Sequence, residues 1–181
     1  MDAFEDIIAG LFRQKGYWTR QNYKIRLTVE EKRAVGKPSM PRPEIDILAY
    51  KPATNVLLWV ECKSYLDSPG VRMSSFMGQD AIGSSLYKVF TNANYRQIAE
   101  KRLITQTLEE GLVLPGVSLQ YALVAGRIYS GDNNLLHKHF ELQGWLLFDS
   151  AWIKERLREL ATLGYEDDVA VTVAKLFERT L

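Results

Sequence analysis

Two short segments carry the residue types that could do chemistry. Pro43-Glu44-Ile45-Asp46 and Glu61-Cys62-Lys63 each lie on a stretch that reads as a β-strand, and a turn at Lys51-Pro52-Ala53-Thr54-Asn55 joins them. Folding that hairpin would gather two carboxylates and one amine into a small polar cluster. Asp and Glu supply hard oxygen ligands suited to Mg²⁺. Two carboxylates within a few ångströms repel unless a cation lies between them. A divalent ion resolves that conflict, lowers the pKa of a bound water and neutralises charge developing on a phosphoryl oxygen.

Strand geometry assigns the faces. Side chains two apart on a strand point the same way, so Glu61 and Lys63 share a face and Cys62 points opposite. Glu44 and Asp46 also share a face; Glu44 is either an outer ligand or solvent-exposed at the strand start. A hairpin makes Asp46 and Glu61 cross-strand neighbours. Lys63 could act as a base only if its pKa fell well below about 10.4. The two acids oppose that fall, which favours a water-orienting and electrostatic role. The triplet Glu30-Glu31-Lys32 has the same spacing of acid and lysine. It lies in a polar stretch with no aspartate strand before it and is rejected.

The elements that must position these residues follow from periodicity. Phe4, Ile7, Ile8, Leu11 and Phe12 predict an amphipathic helix over 2–15, stopped at Gly16. A strand over 17–28 follows, then a charged loop from Val29 to Arg42 containing Pro38 and Pro41. Strands are predicted over 45–50 and 55–62; the unbroken apolar run Val56-Leu57-Leu58-Trp59-Val60 suggests burial on both faces. Residues 64–91 read as a long, partly structured loop, and such loops are uncommon unless functional or mobile. A helix over 92–110, a strand over 117–124, a helix over 132–142, a strand over 145–148 and helices to about 160 and over 168–179 complete the chain. The strands at 55–62 and 117–124 flank a helix, which predicts a right-handed crossover between parallel neighbours. The expected product is an α/β domain with a mixed central sheet and helices on both faces.

The Asp46 … Glu61-Cys62-Lys63 pattern, in this element order, resembles the PD-(D/E)XK nuclease superfamily. The resemblance covers about residues 2–125, within one domain spanning 1–181 whose remainder, about 126–181, is a β/α extension ending in extra helices. It implies a restriction-endonuclease-like fold and a metal-dependent DNA endonuclease. Asp46 and Glu61 would hold Mg²⁺, with Mn²⁺ able to substitute, and Lys63 would be the catalytic lysine. Ile45, not proline, directly precedes Asp46, with Pro43 nearby. The family often adds an acid from the first helix. Glu5, which shares a helix edge with Ile8 and Phe12, is the candidate; the alternative is a favourable charge at the helix N-terminus. Gln97, with Lys101 one turn later and Tyr95 nearby, matches a glutamine found after this strand in some branches. The implied partner is DNA, and cleavage of both strands often requires a homodimer. The alternative is a silent nucleic-acid-binding or protein-interaction module with the same fold.

Composition sets the outer bounds. At 181 residues, with 46% apolar and 25% charged side chains, the chain has ordinary globular values. Cys62 is the only cysteine, which excludes an internal disulfide framework. No signal peptide or membrane-spanning run is evident, so a cytoplasmic location is expected. Net charge is +1, yet from Arg13 to Arg42 nine Lys or Arg face only Glu30 and Glu31. That basic stretch, with Arg20, Lys24 and Arg42 as substrate-binding candidates, could track a phosphate backbone; ordinary surface charge is the other reading. Tyr17, Trp18 and Tyr23 interleave with Arg20, Lys24 and Arg26, as base-stacking surfaces do, although a place in the core or on the sheet surface is the favoured reading. His137-Lys138-His139 lacks the i, i+4 spacing of helical zinc sites. No phosphate loop, dinucleotide fingerprint or serine nucleophile elbow is present.

Overall fold

The apolar stripe from Phe4 to Phe12 forms helix α1, Ala3–Gln14, in the computed structural model, which describes residues 2–164 and 168–180. Asp2 caps it by accepting the Phe4 N–H at 2.8 Å. Five strands make one sheet: β1 Trp18–Lys24, β2 Glu44–Lys51, β3 Val56–Lys63, β4 Ser118–Ala125 and β5 Leu146–Phe148. Their spatial order follows the chain. The first three form an antiparallel meander, and β4 and β5 add in parallel. The other helices are α2 Val29–Ala34, α3 Ala81–Leu86, α4 Lys88–Thr91, α5 Ala93–Glu109, α6 Asn133–Leu142, α7 Ser150–Ala161 and α8 Val169–Thr180. A parallel neighbour requires a crossover, and α5 lies between β3 and β4 in the chain.

Both faces of the sheet are covered. Tyr95, Ala99 and Leu103 of α5 and Leu136 and Phe140 of α6 pack with Leu57, Trp59 and Leu123 on one side. On the other, Ile8, Leu11 and Phe12 of α1, Leu160 of α7 and Ala170, Val171 and Ala174 of α8 pack with Leu58, Val60, Ala122 and Val124. Residues 57–60 are therefore buried without alternation, as a central strand between two helical layers requires. Each such side chain stabilises the fold by about 1.5–3 kcal/mol. Among the described residues, no helix is long and apolar enough to cross a membrane.

Three expectations change. β1 ends at Lys24 rather than Thr28, after a left-handed residue at Asn22, φ 52°. The charged stretch after it is not all loop. Thr28 accepts the Glu31 N–H and Glu31 accepts the Thr28 N–H, a capping box that starts α2. The segment 64–91 contains α3 and α4, too short for their periodicity to register in sequence.

Candidate functional site

The β2–β3 register explains where the polar cluster forms. Pairing runs from Lys51↔Val56 to Ile47↔Val60 and stops there. One further step would place Asp46 opposite Glu61. Instead the Asp46 carboxylate enters the ladder: its Oδ2 accepts the Cys62 N–H at 2.7 Å. The strand also turns over at this point. Ile45 and Ile47 would share a face on a flat strand, yet Ile45 joins the α5-side core and Ile47 the α1-side core. Asn22, in its left-handed conformation, lies between the pairs Gln21↔Ile47 and Tyr23↔Ile45 on the neighbouring strand. Such irregularities re-aim side chains.

Glu61 and Lys63 come from the C-terminal end of β3. The indole Nε1 of Trp59 donates to Glu61 Oε1 at 2.8 Å. Burial, reinforced by the Asp46 charge, pushes the Glu61 carboxyl up to about 7, against the pull of Lys63 and the Trp59 hydrogen bond. Lys63 Nζ stands 3.7 Å from Asp46 Oδ2. Burial disfavours its ammonium, but Asp46 and Glu61 outweigh that and hold its pKa above the ordinary lysine value. A lysine held charged in this way is better suited to orienting water and stabilising negative charge than to accepting a proton. Gly126 secures the strand end from β4. Its N–H donates to the Lys63 carbonyl at 2.8 Å, and a Cβ there would meet the Ser64 oxygen at 2.3 Å.

Glu5 reaches the cluster from α1. Its carboxyl is half-buried and is also pushed up to about 7, first by burial and then by Asp46. Three acids and one lysine thus share one electrostatic site drawn from α1, β2 and β3. Cys62 is buried, and burial followed by the Asp46 charge raises its thiol well above the usual value, so it is no nucleophile.

The donor set suits a hard cation in part. Asp46 Oδ2 and Glu61 Oε1 are engaged, leaving Asp46 Oδ1 and Glu61 Oε2. Among the described residues, no group of three or more His, Cys, Asp or Glu forms a cage. Mg²⁺ commonly takes one or two carboxylates and keeps several waters, so Asp46 and Glu61 fit that pattern.

Of the tyrosines around the cluster, Tyr95 is anticipated from the sequence, and Tyr65 and Tyr87 are not. Tyr65 follows Lys63 by two residues and is left-handed, φ 44°, a conformation that costs a bulky residue about 1–3 kcal/mol. It hydrogen-bonds Tyr87, whose hydroxyl is pushed up by burial and by that bond. Tyr95 is buried on α5, its hydroxyl pushed up by burial and then by Glu61. A sequence signal existed only for Tyr95: Asn92 caps α5 by accepting its N–H, fixing Tyr95 in the first turn.

The substrate-binding candidates are scattered. Gln97 and Lys101 are exposed on α5, Gln97 roughly 200° around the helix from Tyr95. Lys101 acts electrostatically on Glu31. Arg20 lies 3.5 Å from Glu110 and over the Tyr23 ring, and Lys24 lies 3.4 Å from Glu44. Glu44 is thus exposed and paired with Lys24, and its charge also acts on Glu5. Arg42 is exposed. Tyr23 is buried and donates to Glu110, Tyr17 packs on Phe12, and Trp18 is exposed on the edge strand. His137 pairs with Asp149 at 3.2 Å, whereas His139 packs against Trp145 and Phe76.

No family model, curated protein or solved structure matches this chain.

Proposed function

We propose that this protein is a metal-dependent DNA endonuclease of the restriction-endonuclease-like fold, with Asp46 and Glu61 as metal ligands. The observation that carries the reading is the convergence of Asp46, Glu61, Lys63 and Glu5 at the point where β2 leaves its ladder. When bound there, Mg²⁺ or Mn²⁺ would supply a water of lowered pKa and neutralise charge on the phosphoryl group. The Lys63 ammonium would orient the attacking water and stabilise charge as it develops. Trp59 would hold the Glu61 carboxylate in place. Glu5, with its carboxyl raised to about 7, could hold or release a proton near neutrality. A panel of plasmid, linear duplex, junction and single strand, with Mg²⁺, Mn²⁺ or EDTA, tests the reading. Metal-dependent cleavage of at least one DNA is expected; none under any metal condition would contradict it.

One observation favours a silent module of the same architecture. Asp46 Oδ2 is already satisfied by the Cys62 N–H and the Lys63 ammonium, so the cluster is partly neutralised from within. Calorimetric titration separates the two readings: the nuclease binds Mg²⁺ or Mn²⁺ through Asp46 and Glu61, whereas the silent module need not.

A further inference from the structure

A second polar feature lies on the α5 side of the sheet. α2 and the α3–α4 segment border a cleft of about 350 Å³. Its polar lining is Lys37, Ser84, Ser85, Lys88, Thr91 and Asn92, with no carboxylate among the lining residues. Lys37 is fixed by the end of α2. Gly36, at φ 77°, donates to the Arg33 carbonyl and Lys37 to the Lys32 carbonyl, the paired bonds of a Schellman ending. α2 is in turn tied to α5. Arg102 donates to both Glu31 oxygens at 2.8–3.0 Å, and Asn94 donates to the Ala34 carbonyl at 2.9 Å. Lys88 starts α4, with its Nζ 3.9 Å from the centre of the Tyr95 ring.

Two ammonium groups in an acid-free cleft call for an anion. Burial, then the Lys37 charge, lowers the pKa of Lys88. The hydroxyls of Ser84, Ser85 and Thr91 donate to nearby carbonyls, so the free donors are mainly the lysines and one amide. Asn92 uses Oδ1 to cap α5 and leaves its Nδ2 hydrogens to the cleft. The N-terminus of α5, seventeen residues long, adds partial positive charge there. Tyr95 connects the regions: one side of its ring carries Lys88, and its hydroxyl feels Glu61.

We infer that the Lys37–Lys88–Asn92 cleft binds a backbone phosphate of the DNA strand whose scissile phosphodiester lies at the Asp46–Glu61 cluster. This rests on the nuclease reading and gives its substrate a second point of attachment. Binding of a short fluorescein-labelled duplex and of its single strand, followed by anisotropy in EDTA across a salt series, tests it apart from cleavage. Neutralising one backbone phosphate adds about 0.9 to the slope of log affinity against log salt on duplex, and about 0.7 on single strand. The double variant Lys37→Gln/Lys88→Gln should lower the slope by about 0.9 on duplex and about 0.7 on single strand, and weaken binding uniformly across unrelated sequences. Lys138→Gln, exposed on α6, should leave the slope unchanged. A wild-type slope in the double variant, with matching circular dichroism, overturns the cleft and leaves the nuclease reading to its cleavage panel. Failure of the wild type to bind either DNA also overturns it, even if cleavage is seen. Displacement of the DNA by inorganic phosphate at matched ionic strength would mark a free-anion site and overturn the backbone assignment.

Discussion

The acidic cluster and the lysine cleft both act on Tyr95 and are built in opposite ways. Asp46 and Glu61 come from a central hairpin, where Asp46 replaces a ladder carbonyl, and Glu5 joins them from α1. The lysines come from short helices at the margin, held by one capping box, one Arg–Glu fork and one Schellman ending. Burial raises the carboxyls of Glu61 and Glu5 towards neutrality, whereas the cleft remains open to solvent. Under the proposed function, the strand-held cluster would carry the chemistry and the helix-tethered cleft would hold substrate.

Substitutions can break that division, and the largest effect belongs to the acids. Asp46→Asn should abolish metal-dependent cleavage, with a loss of at least about 100-fold in metal affinity by calorimetry. Retained tight metal binding would move the site elsewhere. Trp59→Phe keeps the ring but removes the hydrogen bond to Glu61, and should cost about 10–100-fold in metal affinity. An unchanged affinity would show that Glu61 needs no such support.

A pH series probes the same region without DNA. The native Glu61 and Glu5 carboxyls are raised from 4.5 to about 7. Between those values the folded protein holds protons that the unfolded chain has released, so metal-free stability should fall as pH rises from about 4.5 to about 7. Urea midpoints should show that fall, and Glu61→Gln should flatten it. A midpoint that rises through this range would contradict the burial and repulsion assigned to the cluster. The smallest effect is at the margin. Arg102→Ala removes the fork to Glu31 and should cost about 1 kcal/mol in urea unfolding. It should weaken DNA binding less than the loss of Lys37 and Lys88 together, and should not alter metal affinity.

The same contrast explains what the sequence made legible. The apolar run before Glu61, the turn at Pro52 and the order of strands and helices sufficed to predict the mixed sheet, but they paired Asp46 directly with Glu61, whereas the β2–β3 ladder ends one step earlier. They could not show the turnover of β2 at Asp46, which lies beside the left-handed Asn22 of another strand. Tyr65 and Tyr87 were hidden in a segment without periodicity, and their contact is tertiary. Glu30-Glu31-Lys32 was set aside as a chance triplet, and its position on α2 supports that. Its local signal, Thr28 three residues before Glu31, was the missed evidence for the helix that places Lys37. Gln97 and Lys101 rest on the family resemblance, and helix α5 leaves both exposed.

The most direct test of the central claim is cleavage by Lys63→Ala in Mg²⁺ or Mn²⁺, on whichever DNA the wild type cuts, with metal binding measured on the same preparation. The expected result is a loss of about 100-fold or more in rate, with metal binding and the circular dichroism spectrum retained. Wild-type cleavage by that variant would contradict the assignment of Lys63, and with it the reading of this cluster as the catalytic site.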